Sequence, residues 1–157
     1  MKKLCSVMLL LGVGFLGWRS WQPRHEAADR GELLVFGRVW VDHLPQSDTD
    51  ALQLFAAVKD DAHGIFDHRS AWQGQWQLFR YEPRGDGQLE VYFPQSKTKQ
   101  WLSYRAWKCS EQRQFDYCLQ MTVGKSARKY YSQRGWEIDS LAGARRVEGR
   151  IVDAAGH

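Results

Sequence analysis

The chain has 157 residues, of which 43% are hydrophobic and 25% are charged, a length and composition that suit one small folded domain. Its 22 Lys and Arg residues against 18 Asp and Glu residues give a formal net charge of +4. Because basic and acidic residues are interspersed, this charge predicts a solvated mixed surface and argues against a nucleic-acid partner.

The first 18 residues have the layout of an export signal or a membrane anchor. Two lysines at positions 2 and 3 precede the apolar run Leu4 to Gly17, as in a secretory leader. A cut after Gly17 would place the bulky Phe15 at the third position before it, which argues against a cleaved signal. The apolar run is short for a membrane span, which argues against an anchor. A cleaved signal and a retained anchor therefore both stay open. Either one predicts a periplasmic or extracellular protein, tethered to the membrane by residues 4–18 if the segment is uncleaved.

A polar linker, residues 19–32, leads into a predicted domain at residues 33–138. Short segments of alternating apolar and polar residues, clearest from Phe115 to Val123, predict seven or eight strands about a dozen residues apart. We expect an all-β fold, an antiparallel meander that closes into a barrel, with a β-sandwich as the alternative. Residues 139–157, rich in Gly and Ala, predict a flexible C-terminal tail in which Arg150 to Val152 is a candidate edge strand.

One short helix is predicted from Asp48 to Lys59, within the run of strands. Its acidic start suits the positive end of the helix dipole. Ala51, Leu54, Phe55 and Val58 then fall at i, i+3, i+4 and i+7, which predicts one apolar stripe packed against the barrel.

The cysteines predict one disulfide. Cys109 and Cys118 flank a polar turn, and a tight turn there would place them opposite each other on neighbouring strands, close enough to be joined. An exported chain favours their oxidation. A metal pair is disfavoured because no further ligands occur at a familiar spacing. Cys5 lies in the apolar leader and is expected to stay unpaired.

A candidate partner surface follows from that pairing. If the cysteines lie directly opposite, Trp107 faces Gln120 and Arg105 faces Thr122. Trp101, Arg105 and Trp107 then lie outside the barrel, where the two tryptophans form an exposed aromatic patch or lie under the helix or the tail. The alternative is a bulge that shifts the register and buries the two tryptophans. The other face of this strand is the more apolar one and is expected in the core: Leu102, Tyr104 and Ala106.

Eight tryptophans in the chain predict either a core filled with large rings or a ligand cavity with aromatic walls. An arginine on an apolar face can receive a carboxylate or phosphate; on a barrel rim it reaches solvent instead. The ligand-binding candidates are Trp40, Trp72, Trp76, Arg80, Tyr81 and Tyr130.

Catalysis is disfavoured. His43 follows Asp42, and His63 and His68 flank Asp67, which offers a base beside a carboxylate or a pair of metal ligands. On a strand, however, His63 and His68 point to opposite faces, and no nucleophile elbow, P-loop or zinc-protease motif is present. We therefore predict no catalytic residue, no metal and no cofactor.

The run Gly37-Arg38-Val39-Trp40 in the first strand and Arg134-Gly135-Trp136 near the last resembles the lipocalin or calycin barrels. That family opens its first strand with Gly-x-Trp, and an arginine after the last strand packs over the tryptophan. Here two residues separate Gly37 from Trp40, and the predicted helix follows the first strand instead of the last one. The resemblance implies binding of a small molecule without catalysis.

These observations predict an exported, non-catalytic β-barrel module that binds a small apolar or anionic ligand. The alternative is a cell-envelope module that binds a protein through the exposed aromatic patch. A ligand requires an interior cavity, whereas the protein partner requires a filled core and an exposed patch.

Overall fold

The computed structural model describes residues 34–47, 49–69 and 74–155. Within them, eight strands form a closed antiparallel barrel in which each strand pairs with the next along the chain and β8 returns to β1. The elements are β1 Arg38–Val41, β2 Leu52–Val58, β3 His63–Arg69, β4 Gly74–Gly85, β5 Gln88–Phe93, β6 Thr98–Lys108, β7 Tyr117–Val123, β8 Ser126–Ser132 and α1 Leu141–Ala155. The predicted all-β meander and its closure into a barrel are confirmed.

The predicted leader and linker, residues 1–32, lie outside the described residues, as does Trp72. No helix in the described part of the chain is both long enough and apolar enough to cross a lipid bilayer.

The alternation of side chains along the strands builds two apolar clusters. The inner cluster fills the barrel, with Trp40, Phe55, Phe79 and Leu119 fully buried. The outer cluster lies on the wall formed by β1 and β2, beneath α1. Successive residues of a strand point to opposite faces, so β1 and β2 contribute side chains to both clusters. They are therefore apolar at nearly every position.

The helix predicted from Asp48 to Lys59 is wrong. Residues 52–58 form β2, which pairs with β3 over its whole length, and Asp48 lies outside the described residues. Phe55 points into the barrel, whereas Leu54 belongs to the outer cluster. A strand buried on both faces is a continuous apolar run, and such a run contains the i, i+3, i+4 spacing of a helix without being one.

The C-terminal segment predicted as a flexible tail forms the fifteen-residue helix α1 instead, which includes the proposed edge strand at residues 150–152. Ser140 begins it, because its hydroxyl accepts the backbone N–H of Gly143 at 3.2 Å, as an N-cap does. Ala144, Val147 and Ile151 form the stripe that packs on the outer wall. Two glycines within the helix, which lower helix propensity, obscured this stripe in the sequence.

The predicted disulfide joins Cys109 to Cys118, with Cα atoms 5.0 Å apart. The predicted register is wrong by two residues, because Trp107 lies opposite Cys118 and Arg105 opposite Gln120. The cysteines are therefore diagonal neighbours, and the Cys109 N–H donates to the carbonyl of Asp116 at 2.9 Å. A shift of two residues keeps every side chain on its predicted face, so the assignment of Leu102, Tyr104 and Ala106 to the inner face is confirmed.

Candidate functional site

One end of the barrel is filled by side chains. Phe36, just before β1, stacks on Tyr81 with ring centroids 4.7 Å apart and packs edge-on against Tyr104. The indole N–H of Trp40 donates to the carbonyl of Val35 at 3.0 Å, which fixes this segment beneath the barrel. The chain before β1 thus closes the lower end.

The upper end holds a cavity of about 420 Å³. It lies at the end of the barrel where β1 connects to β2, β3 to β4, β5 to β6 and β7 to β8. Its volume falls within the usual range of small-molecule sites, about 300–1,000 Å³. Five apolar or aromatic residues of its lining, which we call the apolar floor, are Phe66, Phe93, Leu102, Met121 and Tyr130.

Polar side chains line the cavity on β2, β3 and β4. Gln53 lies opposite His68, and His68 lies opposite Gln75, so the three residues form one row across three neighbouring strands. All three line the cavity. Neighbouring strands are about 4.8 Å apart, so the row extends over about 10 Å. Gln77 and Gln100 add two further amides to the lining.

Arg128 extends this row from the other side. Its guanidinium Nη1 donates to Oε1 of Gln53 at 2.5 Å, across the gap that remains because β1 ends at Val41 and pairs with β8 only at Tyr131. We call Arg128, Gln53, His68 and Gln75 the polar strip. A guanidinium has five N–H donors, so the bond to Gln53 leaves Arg128 able to bind a further acceptor.

Tyr130, a member of the apolar floor, lies two residues after Arg128 of the polar strip on β8. Burial raises the pKa of its phenol, and the hydrogen-bonded guanidinium of Arg128 partly opposes that rise. The phenol is therefore neutral near pH 7 and offers a hydroxyl to the cavity.

Three of the predicted ligand-binding residues lie inside the barrel, and one of these lines the cavity. Tyr130 lines it, whereas Trp40 and Tyr81 belong to the filled part of the core. The hydroxyl of Tyr81 donates to the carbonyl of Val58 at 2.7 Å, and burial raises its pKa to about 12. Trp40 and Tyr81 thus serve packing.

Trp76 and Arg80 do not line the cavity. Trp76 is 49% exposed and lies beneath the guanidinium of Arg145 on α1, and Arg80 is exposed on the same outer face of β4. They share a face, as the alternation indicates, but the inward face of β4 carries Gln75, Gln77, Phe79 and Tyr81. The prediction that Trp76 and Arg80 face the interior was wrong because β4 has aromatic rings on both faces, so its apolar residues do not show which face is buried.

The predicted partner surface lies on the outer face of β6. Trp101 is 56% exposed, Arg105 is exposed and Trp107 is partly buried. Each ring has an arginine above it: Arg84 lies 5.7 Å from the centroid of Trp101, and Arg105 lies 5.7 Å from that of Trp107. The two tryptophans are outside the barrel, which is one of the two arrangements that the sequence left open.

The residues considered for catalysis do not form one site. His43, in the loop after β1, lies between Asp42 and Asp50, with nitrogen–oxygen distances of 2.9 and 3.3 Å. Backbone N–H donation from Gln46 is the main reason that the pKa of Asp50 is lowered. His68 belongs to the cavity on β3. Among the described residues, no group of three or more His, Cys, Asp or Glu side chains is placed to hold a metal ion.

Sequence reasoning missed the amides and the arginine of the cavity. Gln75, Gln77 and Arg128 lie on the same strand faces as Phe79 and Tyr130, so alternation on those strands was the available signal. The sequence did not show which end of the barrel is open. Polar side chains can face inward only at an open end, because burying them at a closed end costs free energy.

Comparisons with protein-family models, with curated proteins and with solved structures find no match for this chain. The arginine that the lipocalin resemblance expects over the tryptophan, Arg134, has a side chain that is 81% exposed and ion-paired with Asp116. Arg38 is the arginine held at the closed end, where it lies over Tyr117.

Proposed function

We propose that this protein is a non-catalytic binding module that holds a small molecule in the upper cavity of its barrel. The observation that carries the proposal is the contrast between the two ends: aromatic rings fill the lower end, whereas about 420 Å³ stays open above the apolar floor. A binding site of this kind combines apolar walls with a few polar groups that orient the ligand. The lipocalin resemblance supports the same function.

The ligand is small, with an apolar part that faces the floor and a polar or anionic part that faces the polar strip. Arg128 takes the role that the sequence assigned to Arg80, because it lines the cavity and Arg80 does not. Asp67, also on β3, borders the cavity too, but the strand alternation places its side chain on the outer face with its cross-strand neighbours Leu54 and Trp76.

The test uses a neutral fluorescent probe, N-phenyl-1-naphthylamine, whose emission rises in an apolar site. Leu102→Trp fills the cavity and should weaken probe binding at least tenfold. Ser103→Trp adds the same ring at the next residue, on the outer face, and should leave binding unchanged. If Leu102→Trp fails to fold, Val123→Trp replaces it, because Val123 lines the cavity and is 43% exposed. Equal binding to the filled and unfilled proteins would show that the probe binds elsewhere and would refute the proposal.

We also propose that the module works outside the cytosol, held by residues 4–18 if the leader is uncleaved. The disulfide supports this location, because such bonds persist in oxidising compartments. Cell fractionation with N-terminal sequencing tests the tether. A mature protein that begins after residue 14 and is wholly soluble would contradict it.

A protein partner at the outer face of β6 is the second candidate, because Trp101 is more than half exposed. Trp101→Ala should then abolish a defined cross-linked species in the cell envelope, whereas Trp76→Ala, on another wall of the barrel, should not. Loss of the species in both variants, or in neither, would argue against this surface.

A further inference from the structure

The polar strip is wider than a simple acid group requires. Three of its four residues, Gln53, His68 and Gln75, lie on neighbouring strands and extend over about 10 Å. The fourth, Arg128, continues the row onto β8 through its bond to Gln53. Two more amides, Gln77 and Gln100, line the same cavity. A carboxylate has two oxygens and would engage the guanidinium while leaving most of this row without a ligand partner.

The chemistry of the row favours hydroxyl groups. An amide side chain presents both a donor and an acceptor, as does a neutral imidazole, and a hydroxyl group also presents both. Covering such groups without giving them partners costs free energy, so a ligand that reaches the row gains most when it carries several hydroxyls. One guanidinium that is already engaged by Gln53 does not match a multiply charged head such as a phosphate monoester.

The apolar floor lies directly beneath the row. Phe66 is two residues from His68 on β3, on the same inward face, and its ring centroid lies 5.0 Å from that of Phe55 and 6.2 Å from that of Phe93. Aromatic packing therefore bounds the cavity below, and the row of amides borders it above. A ligand that satisfies both parts has an apolar body joined to a wide hydrogen-bonding head.

We propose that the ligand is an amphiphile with a polyhydroxylated head, of the alkyl glycoside or glycolipid class. Its sugar-like head lies along the polar strip and its hydrocarbon chain lies on the apolar floor. This inference rests on the proposed function and specifies the ligand of the same cavity.

The experiment compares three ligands with the same eight-carbon chain: octyl β-D-glucoside, 1-octanol and sodium octanoate. The glucoside and octanoate are used below their micelle-forming concentrations, and octanol is used below its solubility limit. Each competes with N-phenyl-1-naphthylamine for the full-length protein. The glucoside should displace the probe at a concentration about tenfold lower than octanol does, the gain expected from about two net hydrogen bonds. The glucoside should also displace the probe at a lower concentration than octanoate does.

Two variants locate the head. Gln75→Leu should weaken glucoside binding about fivefold, the loss of about one hydrogen bond, and leave octanol binding unchanged. The matched control is Gln120→Leu, the same substitution on the outer face of β7, opposite Arg105 and Lys129, which should change neither. Unfolding curves of both variants show whether the fold is retained.

The outcomes separate the two proposals. If octanoate binds best, or if the glucoside binds no better than octanol, the polyhydroxylated head is refuted while binding in the cavity stands. If Gln75→Leu and Gln120→Leu weaken glucoside binding equally, the head is not at the polar strip. If no ligand displaces the probe, and if Leu102→Trp does not weaken probe binding, the proposed function itself is refuted. Displacement by free glucose alone would identify a sugar site and refute the amphiphile.

Discussion

Arg38 lies with its guanidinium carbon 4.0 Å from the centre of the Tyr117 ring, inside the lower end of the barrel. The same guanidinium donates to the carbonyl of Gln133 at 2.9 Å and to the carboxylate of Glu137 at 2.6 Å. Only 7% of the Arg38 residue surface is exposed. One planar cation therefore joins β1, β7 and the segment after β8.

Arg38→Ala should lower the free energy of unfolding by about 2 kcal/mol, because it removes charge-assisted hydrogen bonds from a sheltered site. Arg38→Lys should recover little of this, since an ammonium group cannot stack on the ring and bind both oxygens at once. Urea unfolding measures both. Arg134→Ala, at a mostly exposed arginine, is the control and should change stability little.

Removing the disulfide with Cys109→Ser and Cys118→Ser together should lower the free energy of unfolding by about 2.5 kcal/mol. The bond closes a short loop, with a sequence separation of 9, and loops of this length restrict the unfolded chain by about that amount. The native barrel should persist, because β6 and β7 are also paired by their backbones. A double variant as stable as the wild type would contradict this prediction.

Gly64→Ala should destabilise the barrel by about 1–3 kcal/mol, as overpacking of a filled core does. A Cβ at this position would lie 2.5 Å from the carbonyl oxygen of Ala56 and would overlap the ring of Phe79. Adding Phe79→Leu should therefore recover part of the loss, measured as a coupling in a double-mutant cycle. Purely additive losses would show that the ring is not what resists the methyl group.

Alkaline pH should destabilise the protein through Tyr81. Burial raises the pKa of its phenol to about 12 in the folded state, whereas the unfolded value is about 10. Between these values the unfolded chain has lost the proton that the folded protein keeps, so stability falls as pH rises from about 10 to about 12. Urea unfolding at pH 9 and pH 11 measures the fall. Tyr81→Phe should reduce it, and an unchanged fall in that variant would assign the effect to other groups.

The sequence predicted the barrel because most strands have one buried face and one exposed face. On β6, Leu102 and Tyr104 are buried while Trp101 and Arg105 are exposed, and the two-residue period is therefore visible. It failed at β2, where burial on both faces removes that period. Most of the cavity's lining was missed for another reason. The position of the cavity depends on Val35 and Phe36 closing the lower end, a contact between segments that no local pattern encodes.

Ser132, at the end of β8, donates its hydroxyl to the carbonyl of Val39 on β1 at 2.6 Å, and 93 positions along the chain separate them. During synthesis, β1 therefore lacks its second partner strand until β8 has been made, and the barrel cannot close before then. Until then the meander has two bare edges, which are the surfaces that join foreign strands. Long-range closure of this kind slows folding. If the chain crosses a membrane before it folds, β1 and β8 stay apart until both have crossed. Slow crossing would then prolong the exposure of the two strand edges, which favours aggregation unless a chaperone binds them.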